Sequence, residues 1–181
     1  MAWITKPSAT MQVAKRDEPY LTEAMRTDLR DNYLPRFETT HAALLPALHQ
    51  IQHAYGWVPQ QAMMEIAAFL DIKPADVMDT ASFYEEYWLQ PKGQNLVAVC
   101  RSIACEFCGQ PDVTDAVRSK LGIEVGETTD DGKFTLVELE CVGACGGAPA
   151  VLINETLHEF VKPDQIAGLL DEAAKAEAHG H

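Results

Sequence analysis

The 181 residues suit one domain or slightly more, and with 47% hydrophobic and 23% charged residues they exclude wholesale disorder and supply apolar surface for a core. The formal charge of −13 argues against binding to nucleic-acid phosphates or anionic membranes. No apolar run approaches the ~20 residues that span a bilayer, and the first twenty residues hold neither a secretory apolar stretch nor the arginines of a transit peptide. A cytoplasmic protein with no direct membrane insertion is therefore expected, in which cysteines are reduced, metal-bound or redox-active rather than paired as structural disulfides.

Residues 1–19 are expected as a flexible N-terminus and 20–91 as a small helical bundle. YLTEAMRTDLRDNYL and HAALLPALHQIQHAYG carry apolar residues at helical spacing, with Leu44, Leu48, Ile51 and Tyr55 on one face and Gly56 placed to end the second helix. PQQAMMEIAAFLD opens with Pro59 in its first turn, and IKPADVMDTASFYEEYWL reads as a helix starting at Pro74. QPKGQ breaks the pattern as a linker. Residues 92–176 then alternate between strand and helix, and 177–181 form a flexible tail. NLVAVC reads as a buried strand and PDVTDAVRSKLG as a helix from Pro111 to Gly122. FTLVELE alternates, with Phe134, Leu136, Glu138 and Glu140 on one face and Thr135, Val137 and Leu139 on the other. AVLIN and TLHEFV are strands joined through Asn154 and Glu155, and KPDQIAGLLDEAAKA closes as an amphipathic helix. The order strand, helix, strand, strand, strand, helix predicts a small α/β sandwich and matches that of a thioredoxin-like fold.

All five cysteines lie in this second part, as Cys100-x4-Cys105 and Cys141-x3-Cys145, with Cys108 two residues beyond Cys105. Each pair leaves a predicted strand. If those strands are neighbours, both loops emerge at one sheet edge and four thiolates can converge. Structural zinc sites use tighter C-x2-C knuckles, whereas a 2Fe–2S cluster is a wider object that suits these loops. The glycines of GACGGAP let backbone N–H groups approach the sulfurs and offset the cluster's charge. Three other allocations stay open: buried cysteines without a metal, a plant-type run Cys100, Cys105, Cys108 with a distant Cys141, and a dithiol pair Cys105–Cys108. The last two leave the second pair, in its glycine-rich loop, without a purpose.

The stretches VCRSIAC, GIEVGETTDDGKFTLVELECVGACGGAP and DVMDTASFY together resemble the E subunit of NADH:quinone oxidoreductase (respiratory complex I), over roughly residues 30–175. The resemblance implies an α+β chain: a helical bundle followed by a thioredoxin-like 2Fe–2S ferredoxin domain. It puts the ligands on Cys100, Cys105, Cys141 and Cys145, with Cys108 outside the set. The implied function is single-electron exchange with FMN, where NADH and FMN sit on a partner flavoprotein subunit of the F type. Further iron–sulfur subunits complete the peripheral arm of a membrane-associated complex, cytoplasmic in bacteria and in the mitochondrial matrix in eukaryotes. Related subunits serve NAD-linked hydrogenases and formate dehydrogenases, and a free ferredoxin shuttle is a further alternative.

Other features are expected to carry no chemistry. His49 and His53 are four apart on a predicted helix but lack a third ligand nearby, so they read as a solvent-facing or interface pair. Phe83, Tyr84, Tyr87 and Trp88 read as core. Neither G-x-G-x-x-G nor a P-loop motif occurs. The acidic residues read as solvated surface, with only Glu106, Glu138 and Glu140 close in sequence to the cysteines.

Overall fold

The computed structural model describes residues 16–175. The expected flexible tail 177–181, and all but four residues of the expected flexible N-terminus, lie outside that range. The described chain divides into two compact units and passes from one to the other between Pro91 and Lys92.

In the first unit Thr22 caps α1 (Glu23–Asp28), its Oγ1 accepting the Met25 N–H at 3.3 Å. The single helix expected over 20–34 is instead broken into α1, a π-helical turn at Leu29–Tyr33 and a 3-10 turn at Leu34–Arg36. Pro35 is the reason: it has no N–H for Asp31, and the Leu34 N–H just before it bonds back five residues to the Leu29 carbonyl. Helices α2 (Leu44–Tyr55), α3 (Gln60–Leu70) and α4 (Pro74–Phe83) follow, with Gly56 ending α2 as its spacing predicts. Their inward faces form one core around Leu29, Leu48, Ile51, Ile66, Leu70 and Val77. Leu48 is fully buried there. Leu48→Ala is expected to cost about 2–5 kcal/mol, read as a lower urea midpoint with unchanged slope.

Helix α4 stops at Phe83, short of the Leu89 that the sequence pattern implies. The buried Gln52 carboxamide claims the backbone beyond it: Nε2 donates to the Glu86 carbonyl at 2.5 Å and Oε1 accepts the Trp88 N–H at 2.8 Å. The Trp88 carbonyl in turn accepts from Val58 N–H at 2.7 Å. With those groups paired across the bundle, no helical ladder extends through them.

The second unit contains β1 (Asn95–Cys100), α5 (Ile103–Phe107), α6 (Gln110–Leu121), β2 (Phe134–Leu139), β3 (Val151–Ile153), β4 (Thr156–His158) and α7 (Ile166–Lys175). The strands form one sheet in the order β2-β1-β3-β4, with β1 and β2 parallel and the other pairs antiparallel. Val97 and Val99 of β1, Leu136 of β2 and Val151 and Ile153 of β3 share one face and pack on Val113 and Val117 of α6 and Ile166 and Leu170 of α7. This is the expected element order, with the short α5 added. Asn154 turns β3 into β4 with φ 53°, and its amide locks the hairpin to β1. Oδ1 accepts the Leu96 N–H at 2.9 Å and Nδ2 donates to Asn95 Oδ1 at 3.0 Å.

Candidate metal centre

The parallel register sets Cys100 opposite Leu139, and the Arg101 N–H bonds the Leu139 carbonyl at 2.8 Å, so the ladder runs one step past β1. The two strands therefore release their chains side by side at one sheet edge. Cys100 is the last residue of β1, and Cys141 lies two residues past the end of β2. Cys105 sits in α5, and Cys145 opens the 3-10 turn Cys145–Gly147.

Ala150 ties the later loop to the earlier one. Its carbonyl accepts the Cys100 N–H at 3.1 Å, and its N–H faces the Cys105 sulfur. Cys100, Cys105 and Ala150 form a buried apolar cluster with Val142, Ala144 and Ala148 against it. Burial pushes the Cys105 thiol up, and the adjacent Cys100 thiol and nearby Cys145 add to this against the opposing Ala150 N–H. Cys105 thus lies within reach of two of the other three predicted ligands. Cys141 and Cys145 are exposed. The Gly143 N–H donates to the Cys141 sulfur at 3.3 Å, a turn made with φ 78°, where a side chain would be strained.

This donor set fits an iron–sulfur group. Burial makes ionisation of the Cys105 thiol costly, a cost that bound iron would offset. Amide donors at Cys105 and Cys141 offset sulfur charge, the second of them from Gly143, the first glycine of GACGGAP. Among the described residues, no three His, Cys, Asp or Glu side chains are gathered tightly enough for a single ion. Cys108 is exposed at the end of α5, its N–H bonded to the carbonyls of Ala104 and Cys105, both at 3.1 Å.

His49 and His53 stack edge-on at 5.9 Å on α2, with His49 5.2 Å from Tyr87. The four aromatics expected together in the core divide. Tyr87 and Trp88 are buried, while Phe83 and Tyr84 are 73% and 43% exposed, because α4 ends at Phe83 and turns it outward.

A polar knot was not foreseen. Glu138 Oε1 accepts from Gln110 Nε2 at 2.9 Å and from Thr114 Oγ1 at 3.1 Å, and Gln110 and Thr114 are buried. Its other oxygen lies 3.9 Å from the Arg101 guanidinium, which also meets Glu140 at 2.8 Å. The signal was a carboxylate on the inward side of an alternating strand, in line with Phe134 and Leu136.

The family model described as thioredoxin-like 2Fe-2S ferredoxin matches residues 30–174. The chain belongs to that family. It is 37% identical over 155 residues to the E subunit of NADH-quinone oxidoreductase from Pseudomonas aeruginosa, covering 86% of this chain and 93% of the relative. The E subunit of the same enzyme from Escherichia coli K12 is 34% identical over 154 residues, covering 85% and 93%. This 2Fe–2S family member also shares its fold with NAD+-reducing NiFe hydrogenase in the H2-reduced state, at a TM-score of 0.66 and 23% identity. That match covers 77% of this chain but only 24% of the hydrogenase chain.

Proposed function

We propose that this chain is the 2Fe–2S electron-transfer subunit of an NADH:quinone oxidoreductase, with Cys100, Cys105, Cys141 and Cys145 holding the cluster. The observation that carries the reading is the parallel β1–β2 pair, which delivers both cysteine pairs to one sheet edge. A bound 2Fe–2S cluster supplies one-electron exchange, at a potential expected in or below the plant-type region of about −400 mV. Cys100 and Cys105 would bind from the buried side and Cys141 and Cys145 from the exposed side. Gly143 and Ala150 would direct amide dipoles at the sulfurs.

NADH and FMN belong on a partner flavoprotein subunit of the F type, beside further iron–sulfur subunits in the cytoplasmic arm of a membrane-associated complex. The E subunits of Pseudomonas aeruginosa and Escherichia coli, each matched over 93% of its length, support this reading. The segments that carry or flank the cysteines leave Ile103, Phe107 and Phe160 71%, 86% and 63% exposed, apolar side chains that a partner would cover. The hydrogenase reading is not favoured, since only about a quarter of that chain is matched.

Copurification tests the proposal. A tagged chain drawn from its native source should bring a flavin-containing subunit and other iron–sulfur subunits with it. Elution alone, cluster-loaded and flavin-free, would favour the free shuttle. Residues 92–176 are proposed to fold and bind the cluster without the helices of 20–91, which serve partner contacts. A chain beginning at Lys92 should still take up iron and sulfide; soluble protein that takes up none would make the helices part of the same folding unit.

A further inference from the structure

We propose that Glu138 is a positioning residue that fixes three ligand-bearing segments relative to one another. This rests on the ligand set proposed above. Glu138 belongs to β2, three residues before Cys141, so its carboxylate moves with that loop. Through Oε1 it holds Gln110 and Thr114 in the first turns of α6, the helix that follows α5 and Cys105 directly. Through Oε2 it faces Arg101, the residue after Cys100, at 3.9 Å. Gln110 Nε2 also donates to Thr114 Oγ1 at 2.6 Å, so the hydroxyl accepts one bond and gives the other to Glu138.

The arrangement is built to keep its geometry. The Glu138 side chain is 22% exposed, and Gln110 and Thr114 are 4% and 6% exposed. Removing the carboxylate leaves the buried Thr114 hydroxyl without an acceptor and Gln110 Nε2 with only its bond to Thr114, a larger penalty than losing a solvated ion pair. The strain would fall on the relative placement of Cys100, Cys105 and Cys141, which a rigid cluster cannot follow. Arg101 and Glu140 close the same edge at 2.8 Å, but both are at least half exposed and contribute less.

The test uses the full chain, loaded with its cluster, as Glu138→Leu, Glu138→Gln and Arg101→Gln. Three quantities are read: loss of visible absorption to an iron chelator, the midpoint potential, and the thermal midpoint of the metal-free chain. Glu138→Leu should release the cluster about tenfold faster, as expected when buried donors lose their acceptor. Glu138→Gln keeps an acceptor oxygen and should stay within about threefold of wild type. Removing charges of opposite sign should move the potential up in Glu138→Gln and down in Arg101→Gln, a signature that a merely structural role would not produce. If Glu138→Leu does not fold, Thr114→Val removes the hydroxyl that bonds both Gln110 and Glu138, at constant shape, and must itself speed release. Release from Glu138→Leu, or from Thr114→Val in its place, at the wild-type rate overturns the proposal alone. So does an unchanged potential in both charge variants. A wild-type chain that takes up no iron and sulfide overturns the ligand assignment as well.

Discussion

Serine at Cys100, Cys105, Cys141 or Cys145 is expected to abolish or strongly perturb the visible absorption and the reduced-state paramagnetic signal of the loaded chain. Serine at Cys108 is expected to leave both intact. A thiolate is the soft ligand iron–sulfur centres require, and an alkoxide at the same position is harder and far more basic. The proposed set leaves Cys108 out: its N–H closes the end of α5, whereas Cys105, three residues earlier, is buried against Cys100 and Ala150. Bleaching by Cys108→Ser with survival of Cys145→Ser would instead establish the plant-type run.

Purified chain with its cluster intact should oxidise no NADH with ferricyanide as acceptor, and NADH should not bleach it. Hydride carries two electrons and needs an acceptor such as flavin, while a 2Fe–2S centre takes one at a time. The sequence also contains no glycine loop of the kind that cradles a dinucleotide. Adding the flavoprotein subunit should produce turnover, with the cluster only partly reduced. Robust oxidation by a flavin-free chain would place nucleotide binding here and not on the partner.

Short-range signals were legible in the sequence where one residue decides local geometry. Gly56 and Gly122 end α2 and α6, and the alternation of β2 shows which side faces the helices. The sheet edge to which both cysteine loops lead followed from two strands being neighbours, an assumption the parallel register satisfies. Effects that depend on distant partners were hidden. Gln52 lies more than thirty residues from the segment it pairs with, and nothing local in EEYWL says that its backbone bonds elsewhere. Hence the overlong α4 and the expectation that Phe83 and Tyr84 are core. Glu138 was noted as near the cysteines, but its acceptor role needs Gln110 and Thr114, which only the packing of α6 against β2 supplies.

Metal and sulfide analysis of the full chain after anaerobic reconstitution, with electron paramagnetic resonance of the reduced form, bears most directly on the central claim. The account predicts iron and acid-labile sulfide in equal amounts, about two of each per chain, and one paramagnetic centre on reduction. Stoichiometric zinc in a colourless protein, or iron bound without sulfide, would contradict it.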